Sequence, residues 1–274
     1  PSTKKYKDKV SVIKGKLVWA GETENNTEYK WFSEVTDGAT KKSESVRSEW
    51  KEKIAEEVEG VPVPKGFTYK EGTKDTGLVI KDDNGNEFVW VPATESTYRK
   101  DTSFPGVTPT RDDTLPNGIK DETADVVKYG GFYIGRYEAG IPEGDTSPSN
   151  KIGIPVSKKD ATVWTNINYT NAKASAENMI SNEYVQTGLL TGKAWDTVCH
   201  WIKSDDELKD SRTYGNYINS LAPANENSGT KRTAGFNENW KVKNIYDLAG
   251  NVWEWTSEAR SSLFFFRGGS CVID

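Results

Sequence analysis

The stretch NIYDLAGNVWEWT, residues 244–256, decides how this 274-residue chain is read. Asp247 and Glu254 stand on either side of Gly250-Asn251. Asn beside Gly favours a tight turn, because both residue types tolerate φ > 0. Such a turn folds the chain back so that two carboxylates and the carbonyls between them face one point, and hard cations such as calcium take that oxygen set. Trp253-Glu254-Trp255 then reads as a short strand, with both indoles on one face and the carboxylate on the other.

The tail that follows runs from Arg260 through Ser261, Ser262, Leu263, Phe264, Phe265 and Phe266 to RGGS (267–270), then Cys271, Val272, Ile273 and Asp274. Three consecutive Phe residues cannot share one face of a strand. A mixture of aromatic, aliphatic and small polar residues at a loop-rich edge reads as a recognition surface. The competing reading keeps Phe264 and Phe266 in the core and exposes Phe265 alone. Gly268 and Gly269 permit a tight strand crossing, which Arg267 can anchor to a carboxylate. The plainer alternative to a cation site makes Asp247 a turn cap and pairs Glu254 with Arg267.

Upstream, TNAKASAENMIS (170–181) reads as a helix capped by Thr170 or Asn171. GKAWDTVCHWIKSDDELKD (192–210) reads as a second, with Trp195, Val198, Cys199 and Ile202 on one face. His200, the only His, is expected on a helix surface. GGFYIGRYEAG (130–140) reads as a strand with Phe132, Ile134 and Arg136 on one side and Tyr133, Gly135 and Tyr137 on the other. Residues 94–128 and 141–153 are polar and read as loops. Asn84-Gly85 between Leu78-Val79-Ile80 and Phe88-Val89-Trp90-Val91 is a hairpin signal, and Val61-Pro62-Val63-Pro64 is extended.

Residues 1–60 read as a separate attachment or assembly segment. VSVIKGKLVWAG (10–21) alternates around Gly15, as a hairpin does. SESVRSEWKEKIAEEV (43–58) reads as a helix capped by Ser43 or Ser45, with Val46, Trp50, Ile54 and Val58 at four-residue spacing, ended by Gly60 and Pro62.

Hydrophobic residues make up only 34% of the chain, yet there are 10 Trp, 12 Tyr and 9 Phe, so an aromatic core is expected. The net charge of −5 argues against nucleic-acid binding, which needs a basic face. No apolar run approaches a membrane span of ~20 residues, and no signal peptide is visible. The start at Pro1 points to a processed chain or a missing beginning. Two cysteines, Cys199 and Cys271, do not make a disulfide framework.

Several of these stretches, in this order, resemble the formylglycine-generating-enzyme-like (sulfatase-modifying-factor) domains, a branch of the C-type lectin fold. They are EFVWVPA (87–93), GGFYIGRYEAG (130–140), PVSKKDATVW (155–164), GLLTGKAWD (188–196), YGNY (214–217), the opening stretch and RGGS. The resemblance covers about residues 61–270. It implies an α+β, C-type-lectin-like fold of the formylglycine-generating-enzyme type with a small N-terminal appendage, and a ligand-binding domain over 61–274. It also implies a structural calcium held by Asp247, the carbonyls of Gly250 and Val252, and Glu254. Family members usually continue past RGGS to a strand carrying GFR, so the C-terminus is expected to be incomplete.

The oxidase branch of that family needs a reactive cysteine pair, and neither Cys199 nor Cys271 falls in a matching motif. The iron-dependent relatives need several histidines. No Ser/His/Asp set is recognisable. The expectation is therefore a non-enzymatic binder without an organic cofactor. A subset of these domains are variable proteins of diversity-generating retroelements, whose adenine-directed mutagenesis rewrites codons around RGGS. Codons with a fixed final cytosine cannot encode Lys, Glu, Gln, Met or Trp, and none of these appears from Ala259 onward.

The ligand surface is thus expected on Arg260 to Phe266 and Cys271 to Asp274, framed by Trp253 and Trp255. The expected partner is a macromolecular target such as a bacterial surface receptor, met by a phage tail or fibre component in a virion or by a bacterial surface protein. Residues 1–60 are expected to join other virion or surface subunits, with homo-oligomerisation open and no membrane insertion. The rival readings are a non-diversified structural virion domain and a formylglycine-generating-type oxidase.

Overall fold

The chain divides into two units, Pro1–Ile54 and Ala55–Asp274. The computed structural model describes residues 10–13, 16–19, 53–99, 121–205, 210–222, 229–260 and 263–272. In the first unit β1 (Val10–Ile13) and β2 (Lys16–Trp19) pair antiparallel, Ile13 opposite Lys16. This is the hairpin expected around Gly15.

The helix expected over 43–58 is corrected at its C-terminal end, since Ile54–Val58 is strand β3; residues 43–52 lie outside the described residues. Glu59 (φ 53°) and Gly60 (φ 75°) are both left-handed. Two such residues make the tight hairpin turn that matches strand twist, and the chain returns as β4 (Val61–Pro64), paired with β3. Strand pairing outweighs the four-residue apolar spacing here.

The centre of the second unit is a four-stranded antiparallel sheet in sequence order. It consists of β5 (Phe67–Glu71), β6 (Val79–Asp82), β7 (Glu87–Pro92) and β8 (Gly131–Gly135). The β6–β7 turn carries Asn84-Gly85, and the Asp82 carboxylate closes it by accepting from the Asn86 backbone N–H at 2.7 Å and its side-chain amide at 2.9 Å. Because side chains alternate, the sheet is apolar on both faces. Val79, Val89, Val91 and Ile134 form one cluster with Val198, Ile202, Val242 and Ile245. Ile80, Phe88 and Trp90 form another with Val61, Val63, Phe67 and Leu78.

Part of the expected 94–128 loop is helix. α1 (Thr123–Tyr129) ends at left-handed Gly130, whose N–H bonds Val126 O, and it buries Val126 against Ala93, Tyr98 and Ala194. Strand β8 stops at Gly135, short of the expected 140, because Arg136 turns inward. Its guanidinium is buried and donates to Glu71 at 2.6 Å and Glu87 at 2.8 Å.

Two longer helices follow. α2 (Tyr169–Met179) is capped by Asn168, earlier than expected, its side chain accepting from Asn171 N–H. α3 (Gly192–Lys203) is capped by Thr191 and ends before the expected residue 210. It buries Trp195, Val198 and Ile202, with Cys199 partly covered and His200 exposed. A two-residue pair, β9 (Lys241–Val242) and β10 (Ile245–Tyr246), leads into the motif at 247–253. The described chain closes with an antiparallel ribbon of β11 (Glu254–Arg260) and β12 (Leu263–Arg267). The class is α+β with antiparallel sheets, none closed into a barrel. No helix among the described residues is long and apolar enough to cross a membrane.

Candidate functional site

The site is built from the turn at 247–252 and the ribbon it launches. Asp247 (φ 57°), Gly250 (φ 95°) and Asn251 (φ 55°) are all left-handed. These are the residue types that tolerate this conformation. Asn251 holds the turn from inside. Its side-chain oxygen accepts from Asn216 Nδ2 at 3.1 Å and from Arg232 N–H at 2.8 Å, and its Nδ2 donates to Glu138 Oε2.

Main-chain bonds fix which carbonyls are left over. Ala249 O accepts from Asn216 N–H at 2.8 Å, and Asn251 O accepts from Cys271 N–H at 2.9 Å. Among the described residues, no donor reaches the carbonyls of Gly250 or Val252. These are the two carbonyls expected as ligands.

The carboxylates show the same surplus of acceptors. Asp247 is fully buried; Oδ2 accepts from Gly235 N–H at 2.7 Å, and Oδ1 has no partner. Glu254 points into the protein from β11 and its Oε2 is buried without a partner. Gly268 is left-handed, which favours glycine, and a Cβ there would push the Glu254 carboxylate aside. Burial pushes the Asp247 carboxyl up to about 7. Burial, then the charges of Glu138 and Asp247, pushes Glu254 well above the carboxylate range.

The ion pair considered between Glu254 and Arg267 does not form. Arg267 bonds Glu258, and both partners are largely buried. Among the described residues no Lys or Arg pairs with Glu138, Asp247 or Glu254. Buried carboxylates without a cationic partner are costly unless neutralised or bound to a cation. No group of three or more His, Cys, Asp or Glu side chains among the described residues makes a ready ligand set by itself. The arrangement is mixed, two carboxylates with two free carbonyls. That donor chemistry fits a hard cation, whose shell loop carbonyls and waters commonly complete.

Outside this centre the ribbon carries a continuous row of aromatic rings. Trp253 and Phe266 stack at 5.2 Å and 21°. Phe266 meets Trp255 edge to face at 5.0 Å, and Trp255 meets Tyr169 likewise at 5.9 Å. Tyr169 lies against Phe264. Trp255 is steadied by its Nε1–H, which donates to Ile167 O at 2.9 Å. Trp253 is 47% exposed, Phe266 47% and Phe264 36%.

Phe265 is the half-buried one of the three. This reverses the reading that exposed it alone: period-2 alternation puts Phe264 and Phe266 outward together. Val272 is exposed and Cys271 half-buried, with Cys271 O accepting from the N–H of exposed Ile218 at 3.0 Å. Among the described residues neither Cys199 nor Cys271 is in a disulfide. Arg260 and Leu263 lie on the ribbon strands. Ser261, Ser262, Ile273 and Asp274 lie outside the described residues.

Two residues escaped the sequence reading. Tyr169 joins the aromatic row, and placing Asn168 as the helix cap would have put it on the first turn. Glu138 approaches the turn from beyond β8, and nothing in its local sequence marks it.

Comparison with models of known protein families, with curated proteins and with solved structures finds no match.

Proposed function

We propose that this chain is a non-enzymatic ligand-binding protein. In this reading a C-type-lectin-like scaffold of the formylglycine-generating-enzyme type presents the β11–β12 ribbon to a macromolecular target. Its setting is a phage tail or fibre, or a bacterial surface, with the target a receptor on a bacterial cell and residues 1–60 serving attachment. The observation that carries the reading is the row of five rings, with Trp253, Phe264 and Phe266 open to solvent. Rigid aromatics offer large contact area at low entropy cost, and a cluster of them on a ribbon face has no folding role that requires its exposure. A calcium ion held by Asp247, Glu254 and the Gly250 and Val252 carbonyls pins the turn that launches the ribbon.

The test is binding of the labelled full chain to a panel of bacterial cells, with Trp253→Ser and Phe266→Ser beside the wild type. Loss of cell binding by folded variants supports the reading. Undiminished binding by both would remove it. Sequences of sibling proteins over 257–274 add an independent arm. Variation clustered there supports a diversified binder, and uniform drift favours a non-diversified structural virion domain.

A further inference from the structure

A third carboxylate stands behind the proposed cation centre. Glu138 follows β8, is buried, and belongs to a different part of the fold from the 247–254 turn. Its two oxygens are directed at that turn. Oε1 accepts from Val252 N–H at 3.1 Å, and Oε2 accepts from Asn251 Nδ2.

The first contact matters for geometry. The Asn251–Val252 peptide is held on its N–H side by Glu138 and on its carbonyl side by Cys271 N–H. The preceding Gly250–Asn251 peptide is held by Asn251 N–H donating to Asn216 O at 2.8 Å. The Gly250 carbonyl lies in the second of these fixed planes, and the Asn251–Val252 peptide held by Glu138 sits directly between it and the Val252 carbonyl, which belongs to the next peptide. Glu138 also lies within Coulombic reach of Asp247 and Glu254. A bound cation would therefore face a third carboxyl group that has no described Lys or Arg beside it.

We infer that Glu138 is the positioning carboxylate of a divalent-cation centre, holding the Asn251 side chain and the peptide that separates the Gly250 and Val252 carbonyls, and supplying charge to a bound cation without itself being a ligand. This rests on the calcium reading above. Two observations beyond the acidic cluster point to a bound cation. One is the fully buried Asp247 with an unpartnered oxygen, and the other is the pair of carbonyls left without donors. Two ligating carboxylates balance a divalent ion, and the third biases the centre against monovalent ions. Partners that orient ligands without touching the metal are typically worth about 10–100-fold in affinity.

The experiment uses the full chain, calcium, and terbium as a luminescent calcium substitute, sensitised by Trp253 and Trp255 beside Glu254. Calcium affinity is read by displacement of terbium, and Tm is measured in calcium and in chelator. Glu138→Gln should weaken calcium about 10–100-fold and shrink the Tm increment that calcium produces. Glu138→Asp, which keeps the charge and shortens the reach to Val252 N–H, should fall between; should the Gln variant fail to fold, the Asp variant decides alone. Wild-type calcium affinity in the folded variants, with equal Tm losses in calcium and chelator, assigns Glu138 a structural role only and overturns the inference. Absence of calcium or terbium binding by the wild type defeats the cation centre itself, and the inference with it.

Discussion

The Phe264 ring lies face to face on that of Tyr169, centroids 3.5 Å apart and planes 12° apart. Tyr169 opens α2 and is buried, whereas Phe264 is 36% exposed. One residue of the ribbon therefore both shields the start of a helix and faces solvent. Phe264→Ala should cost ~1–2 kcal/mol, since an aromatic pair is worth ~0.5–1.5 kcal/mol beyond its area burial. Urea unfolding measures this; a change below ~0.5 kcal/mol, the range of ordinary surface substitutions, would show that the stack contributes nothing.

Phe265 and Phe266 should separate stability from recognition. Phe266 is 47% exposed, and its neighbour points the other way and is half-buried. Phe266→Ser should alter target binding and leave stability within ~1 kcal/mol, near the range of surface changes. Phe265→Ser should do the reverse. Melting curves and cell-binding isotherms on the two variants check the pair, and equal stability losses would contradict the assignment of faces.

The Arg267–Glu258 pair ties the two strands together below the surface. Removing Glu258 leaves the Arg267 charge buried without its carboxylate, which typically costs ~3–5 kcal/mol. Glu258→Leu should therefore be strongly destabilising. The double variant Arg267→Met with Glu258→Leu should recover much of the loss, because the buried guanidinium is then gone as well. Denaturant midpoints of the three proteins decide it; a double variant no more stable than Glu258→Leu would count against this account.

Calcium removal should lower the melting temperature, because a ligand bound only by the native state stabilises it, by ~2.7 kcal/mol at a hundredfold excess over Kd. Asp247→Asn should lose this dependence on chelator. Scanning calorimetry with and without chelator is the measurement, and a wild type indifferent to chelator would refute the site.

Glu238 gives a pH signature away from that centre. Hydrogen bonds from Lys159 and then Tyr246 hold its carboxyl down at about 2, against an ordinary value of 4.5. A carboxyl depressed in the folded state stabilises above its unfolded pKa, and that stabilisation is lost as pH falls through the folded value. The difference between wild type and Glu238→Gln should be full above pH 4.5 and vanish toward about 2. The group is well exposed, so the effect is small and weakens with salt. A difference that grows on acidification would have the wrong sign.

Where local chemistry and tertiary contacts agree, the sequence was readable. The left-handed Gly250-Asn251 turn, the hairpin around Gly85 and the inward Glu254 between two indoles all follow from residue type and period. Tertiary terms decided the rest. Ile54–Val58 has helical spacing but is drawn into a strand by the Glu59-Gly60 turn and its partner β4. α1 hides in a polar segment because only Val126 of it is buried. Glu138 reaches the turn from 113 positions away along the chain, a separation that no local pattern encodes.

The ribbon has an irregular register, and that irregularity bears on how its face can evolve. Trp255 pairs with Phe266 and Ala259 with Phe264, so Thr256, Ser257 and Glu258 stand opposite Phe265 alone. All three are buried, Thr256 donating its hydroxyl to Phe265 O at 3.0 Å and Ser257 its N–H to Leu190 O at 2.8 Å. A regular ribbon can slide by two residues and keep its faces, whereas one locked by such a bulge cannot. Substitutions on the open face then have no shared backbone shift through which to influence one another. Changes at Trp253 and Phe266, which touch, should be epistatic, and changes at Phe264 should combine with them nearly independently. A surface with that property can explore many side-chain combinations one position at a time without each step having to be rescued by another.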